Sequence, residues 1–329
     1  MKGDFRRYLA AKESVDDRAF APDVRRLVRS DLAGRSDGLR LLDAGAGTGP
    51  FLRRLLAWDV PDLTYVAVDS DGANLDRARE RVAAAAPAAG YAVDSVDADG
   101  GGPEGDFEFD FSFDFDVPGE TVGSLSLTGE NDIDVRFVRG DALDAAEAGG
   151  WDCTVAQAFV DLLDPAGVDR LLDGLAPGGR FYFPITFDGG TAFAPPHDAD
   201  DAVLSAYHAT MHDGDRLGSR AGRLLERHLD ARGIDYVAAD ADWSVRPVGE
   251  HSRGGNGPNE GPDGDAGDRR GYPADEAYFL RVVVDTVADA VRGRVDEGTT
   301  RRWHRARRRE LDARRLKFAA RNRDVTGIV

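Results

Sequence analysis

The sequence has one cysteine, Cys153, only three lysines and two methionines in 329 residues. A single thiol cannot close an intrachain disulfide and cannot build a multi-cysteine metal site. No stretch approaches the roughly 20 apolar residues that a membrane-spanning helix needs. The opening MKGDFRRYLAAKESVDD is charged throughout and holds no apolar segment of the kind a secretory signal requires. Together these absences point to a cytoplasmic protein.

Positive charge is also scarce. The formal net charge is -18, from 42 basic and 60 acidic residues, and arginine supplies nearly all the base. Such a composition suits a halophilic protein, because molar salt shortens the Debye length to a few ångströms and screens self-repulsion. It also argues against nucleic acid as a partner. The acid is unevenly spread: residues 94–130 carry eleven acidic side chains and no basic one.

What is present is a rhythm of apolar runs and amphipathic stretches. Residues 4–34 read as helices. Strands are expected at 39–43, 63–69, 135–138, 153–156, 180–187 and 234–238, with a last short one at 316–320. Helices are expected from residues 51, 74, 168, 278 and 301. Alternating strands and helices with apolar strands imply an α/β protein whose mainly parallel sheet is covered on both faces. Two segments break the rhythm. Residues 249–271 are Gly, Pro and charge, and read as a disordered loop. Residues 94–130 contain FEFDFSFDFDV, with Phe107, Phe109, Phe111, Phe113 and Phe115 on one face at period two. This reads as an acidic β-ribbon, turned back at Pro118-Gly119 toward residues 121–127.

The chemistry concentrates in Leu41-Leu42-Asp43-Ala44-Gly45-Ala46-Gly47-Thr48-Gly49-Pro50. An apolar strand runs into three alternating glycines, and a helix starts at once. Glycine serves where the backbone turns sharply and where a ligand must approach it closely. Asp69 ends the next strand, twenty residues after Gly49. An acid so placed accepts hydrogen bonds from ribose hydroxyls. The spacing is GxGxG and not the GxGxxG of a pyrophosphate site. Asp43 would repel a pyrophosphate but can accept from an amino group.

LLDAGAGTGPFL resembles the first motif of class I S-adenosylmethionine-dependent methyltransferases, and YVAVDSDGANL resembles their second. VRFVRGDAL, WDCTVAQAFVDLLD and LAPGGRFYFPITFDG are similar to the third, fourth and fifth, in order; segments outside them are similar to uncharacterised haloarchaeal and actinobacterial members. The resemblance implies a Rossmann-like doubly wound sheet of seven strands, ordered 3-2-1-4-5-7-6 with the last antiparallel. One domain would then span the chain, with residues 1–34 as an N-terminal helical cap. It also implies S-adenosyl-L-methionine as cofactor. Asp43, Gly45, Gly47 and Gly49 would line its methionine end, Asp69 its ribose, Asp141 and Ala142 its adenine. Gln157 would sit near the sulfonium. Ala156-Gln157-Ala158-Phe159 stands where amino-group methylases of this kind carry an Asn/Asp-Pro-Pro-Tyr motif, which argues against adenine or glutamine N-methylation.

Methyl transfer from a sulfonium chiefly needs alignment and exclusion of water. A general base is optional, and none stands out. Asp188, His208 and Gln157 are the catalytic candidates. His208 and His212 have i, i+4 spacing, yet without a third ligand they make no metal site. A small-molecule acceptor is expected, with a homodimer left open. A nicotinamide-dependent oxidoreductase and a non-catalytic S-adenosylmethionine-binding protein are the alternatives.

Overall fold

The computed structural model describes residues 4–36, 38–96, 116–212, 215–248 and 271–329. Residues 107–115 of the alternating phenylalanine run and residues 249–270 of the expected loop lie outside them. The chain forms two compact units. One holds residues 20–188, 214–241 and 322–329; the other holds residues 1–19, 189–213 and 242–321. The boundary between Ala19 and Phe20 falls inside the stretch read from sequence as one helical cap.

The larger unit is built on a sheet of nine strands. Its strands are β1 (Leu39–Ala44), β2 (Leu63–Asp69), β3 (Ala92–Val96), β4 (Glu120–Thr128), β5 (Ile133–Arg139), β6 (Trp151–Val155), β7 (Leu175–Phe187), β9 (Tyr236–Asp240) and β12 (Asn322–Ile328). They lie in the order β3-β4-β5-β2-β1-β6-β7-β12-β9. The count is therefore nine and not the expected seven. The two added strands, β3 and β4, form one edge, and without them the order is β5-β2-β1-β6-β7-β12-β9. Pairing is parallel from β5 to β7 and antiparallel on both sides of β12. The returning strand expected at 121–127 is β4, but its partners are β3 and β5. The closing strand of this sheet is β12, not 316–320. Its polar Asn322-Arg323-Asp324 start and Gly327 hide it from a period-two reading.

Side-chain alternation divides the core. Leu41, Tyr65, Val135, Phe137, Cys153 and Tyr182 belong to one apolar cluster, and Leu42, Val66, Val138, Phe181, Phe183 and Val325 to the other. Helices α2 (Pro22–Ala33), α3 (Pro50–Leu55) and α4 (Gly72–Ala85) pack into the first cluster. Helices α5 (Ala142–Glu147), α6 (Pro165–Asp173) and α8 (Ala221–Arg232) pack into the second. Covering both faces is what lets β1 be buried along nearly its whole length.

The smaller unit contains α1 (Phe5–Ala19), α7 (Asp200–Thr210), α9 (Glu276–Ala290), α10 (Glu297–Asp312) and the antiparallel sheet β10-β11-β8. Those strands are β8 (Ala192–Ala194), β10 (Trp243–Val245) and β11 (Lys317–Ala320). Rings of Phe193, Trp303, Phe318 and Phe279 meet at its centre. α10 turns one guanidinium inward: Arg307 is fully buried, with Nη2 donating to both oxygens of Asp200 at 2.5 and 2.6 Å. No helix among the described residues is long and apolar enough to cross a membrane.

Candidate functional site

The glycines after β1 each occupy left-handed backbone, with φ of +74° at Gly45, +54° at Gly47 and +71° at Gly49. This region costs an L-residue steric energy and costs glycine none. The turn is tied to the neighbouring strand, because the Gly45 and Ala46 N–H groups both donate to the Val68 carbonyl at 3.0 and 2.9 Å. Pro50 then supplies the first helical residue of α3, where its missing N–H costs nothing. The ring of Phe159 lies on Gly45: a Cβ placed there would stand 2.7 Å from Phe159 Cδ2.

Asp69 is aimed at this turn. Its Oδ2 accepts from the Gly47 N–H at 2.9 Å, while Oδ1 accepts from the Asp71 N–H at 2.9 Å and from Asn74 Nδ2 at 3.3 Å. Asn74 is 4% exposed, and its own Oδ1 is buried without a hydrogen-bond partner. Asp71, whose side chain accepts from the Ala73 N–H, is the N-cap of α4. The two neighbouring acids thus take separate roles.

Asp43 sits inside the sheet below the turn, 2% exposed, and its Oδ2 accepts from the Tyr65 hydroxyl at 2.5 Å. Burial pushes its carboxyl up to about 7; the Tyr65 hydrogen bond opposes this, the charge of Asp69 adds to it and Arg54 opposes it. Near neutral pH the group is therefore poised between acid and carboxylate.

Asp141 and Ala142 follow β5, the strand beside β2. The Gly140 N–H donates to the Asp69 carbonyl at 3.1 Å, which joins the two strand exits. Asp141 is exposed and caps α5 by accepting from the Leu143 N–H at 2.7 Å; Ala142 is buried. Gln157 follows β6, on the other side of β1, and its Oε1 accepts from Arg54 Nη1 at 3.3 Å. The exits of β1, β2, β5 and β6 thus carry all the cofactor residues expected from sequence on one edge of one sheet.

The catalytic candidates beyond β7 behave differently. Asp188 is clamped by Arg223: Nε donates to Oδ1 at 2.9 Å and Nη2 to Oδ2 at 3.1 Å, and the Arg223 N–H adds 3.1 Å to Oδ1. It holds the start of α8. His208 belongs to the smaller unit, on α7, with Nε2 2.9 Å from Thr191 Oγ1. Burial lowers its pKa, and His212 lowers it further. His212 lies beyond the end of α7, so the two histidines do not share a helical face. Among the described residues no group of three or more His, Cys, Asp or Glu is arranged to hold a metal ion.

Sequence reasoning missed Phe159, Arg54 and Asn74. Asn74 had a signal, five residues after Asp69 on the first turn of α4. Phe159 had one in its place at the aromatic position of Ala156-Gln157-Ala158-Phe159; Arg54 had none, since nothing local marks which of many arginines faces the turn.

No family model matches the sequence, and no curated protein matches it. Among solved structures it is similar to Haemonchus contortus phosphoethanolamine N-methyltransferase 2 bound to phosphomonomethylethanolamine and S-adenosylhomocysteine. That match has 12% identity and a TM-score of 0.42, and covers 99% of this chain and 60% of that one. The chain thus spans less than two thirds of the Haemonchus enzyme's length. It is also similar to a SAM-dependent methyltransferase from Geobacter sulfurreducens in complex with S-adenosylhomocysteine, at 13% identity and TM-score 0.41, covering 94% of this chain and 92% of that one. A third is geranyl diphosphate C-methyltransferase from Streptomyces coelicolor, at 10% identity and TM-score 0.38, covering 93% and 79%. Likeness at this level leaves the functional argument to the chain's own residues.

Proposed function

We propose that the chain is an S-adenosylmethionine-dependent methyltransferase that transfers the methyl group in line to a small-molecule acceptor. The observation that carries this reading is the carboxylate of Asp69 meeting the bared backbone of Gly47 at the end of β1. A ribose diol brings two O–H donors. A carboxylate has about four acceptor positions, of which Asp69 uses three, and the buried Asn74 Oδ1 is a further acceptor on the adjoining amide. An orphaned buried acceptor costs free energy until a donor reaches it, so a ligand hydroxyl there is favoured.

The residues fit the rest of the group. Gly45 and Gly49 let the turn pack tightly against Phe159 and Ala78, and Gly47, beside Asp69, is the glycine a ligand would approach. Asp43 gains an ionised state when an ammonium approaches, which suits the methionine end. Ala142 would border the adenine, and Gln157 would stand on the acceptor side. When bound, the cofactor supplies an electrophilic methyl on a good leaving group. The protein's task is then alignment and exclusion of water. The buried Asp43 disfavours the nicotinamide alternative, because a pyrophosphate would face it.

The test is thermal. S-adenosylhomocysteine should raise the melting temperature and NADH should not. Asp69→Ala should weaken S-adenosylhomocysteine binding at least tenfold, about 1.4 kcal/mol. Unchanged affinity in that variant sinks the ribose assignment. Transfer of labelled methyl groups to small molecules in a cell extract separates an enzyme from a protein that only binds the cofactor.

A further inference from the structure

Two residues other than glycine stand in left-handed backbone at adjoining strand exits. Ala158 follows β6 with φ of +50°, and Ile185 lies within β7 with φ of +56°. For a β-branched residue this is a true outlier, held only where surroundings over-determine it. The surroundings are visible. Pairing between β7 and β12 shifts register between Arg323 and Val325, so Pro184 and Ile185 together oppose Asp324 alone. This is a β-bulge, a device that re-aims chain beside functional sites. Pro184 has no N–H. The N–H of Ile185 donates to Asp324 Oδ1 at 2.9 Å. The Pro184 carbonyl accepts from the Ala158 N–H at 2.9 Å. Ala158 lies between Gln157, which accepts from Arg54, and Phe159, whose ring covers Gly45.

Asp324 is fully buried, and its Oδ2 accepts from the Ala21 N–H at 2.8 Å and from the Tyr182 hydroxyl at 3.4 Å. One carboxylate on β12 thus fixes the bulge in β7, and the bulge fixes the exit of β6. We infer that Asp324 is a positioning residue for the cofactor and acceptor side of the site, acting through Ile185 and Ala158 on Gln157 and Phe159. The inference rests on the methyltransferase reading above. The effect of Asp324 passes through backbone hydrogen bonds, and a change there is felt at Gly45 as a displaced Phe159 ring.

The experiment compares S-adenosylhomocysteine affinity in three full-length variants by calorimetry. Asp324→Asn keeps the shape but loses one acceptor, and should bind at least tenfold more weakly than wild type. Thr326→Val removes an equally buried polar group from the same strand, one whose hydroxyl donates to the Phe181 carbonyl at 2.7 Å. It should lower the melting temperature with less than a twofold change in affinity. In Asp324→Asn/Ile185→Gly, glycine adopts the left-handed backbone without the carboxylate's help. Affinity should then recover at least threefold although the core has lost a side chain. Asp324→Asn binding as wild type, equal losses in Thr326→Val, or no recovery in the double variant overturns the inference. Should Asp324→Asn not fold, hydrogen exchange of the wild type decides. Saturating S-adenosylhomocysteine should slow the Ala158 and Ile185 amides at least tenfold, and unchanged rates refute the coupling. A wild type that does not bind S-adenosylhomocysteine at all defeats the methyltransferase reading instead.

Discussion

Left-handed backbone near the ends of the sheet strands is held by two different means. After β1 every such position is glycine. Just after β6 and within β7 two such positions are alanine and isoleucine, held by the Pro184 carbonyl and the Asp324 carboxylate, although Gly189 and Gly190 follow the end of β7. The first turn is encoded in its own composition and adopts its form at little cost. The second is imposed by hydrogen bonds from elsewhere, one of them contributed by a residue more than a hundred positions away. A cradle that bares its main chain needs the first kind. A loop that must carry side chains such as Gln157 and Phe159 needs the second, because glycines there would leave it loose.

Substitutions can break this contrast. Gly45→Ala should do the most harm, since it joins a φ of +74° to a Cβ 2.7 Å from the Phe159 ring. A loss of about 2–4 kcal/mol in urea unfolding is expected, together with loss of S-adenosylhomocysteine binding by calorimetry.

Next comes pH. Binding an ammonium favours ionised Asp43, whose pKa lies at about 7. Affinity for S-adenosylhomocysteine should therefore rise roughly tenfold from acid to neutral pH, and Asp43→Asn should flatten that profile. Stability moves the opposite way. A carboxyl whose folded pKa is raised binds protons more tightly when folded. Its contribution is full below the ordinary carboxylate range and is lost as pH rises to about 7. The Asn variant should lack this slope in thermal melts taken across that window.

Ala158→Gly is the reverse exchange of Gly45→Ala and should have the reverse sign. It relieves a φ of +50° at some cost in unfolded-chain entropy, leaving a gain of at most about 1 kcal/mol. A destabilised variant would show that the Ala158 methyl, and not its backbone, is what the loop needs. The smallest effect is expected at the exposed end of the same edge. Arg223→Ala removes a partner of Asp188 that is itself half in solvent. About 0.5 kcal/mol should be lost.

The same contrast explains what the sequence revealed. β1, β2 and the glycine turn between β1 and α3 were legible because apolar runs, glycines and a proline each state a local preference. Asp69 was legible by spacing. The bulge at Ile185 was only half legible: Pro184 in a strand paired on both sides marks a bulge, but the carboxylate that holds it lies on β12. β12 itself was missed since its apolar face is interrupted by Asp324, an acid buried for its two backbone donors. Helix periodicity had a similar blind spot at Arg307, whose charge reads as outward until Asp200 is brought to it. The smaller unit was the least legible part, because its three segments are far apart in the chain and each borrows its core from the others.

The solitary thiol turns out to be a useful reporter. Cys153 lies in β6 opposite Leu41, 1% exposed, and burial pushes its pKa up to about 12. An alkylating reagent at neutral pH therefore meets no thiolate until the strands beside it part. Its labelling rate is a clock for opening of the sheet centre, with no competing cysteine to blur the signal. Any molecule gripped at the end of β1 should slow that clock in proportion to its occupancy, whether or not its chemistry has yet been identified.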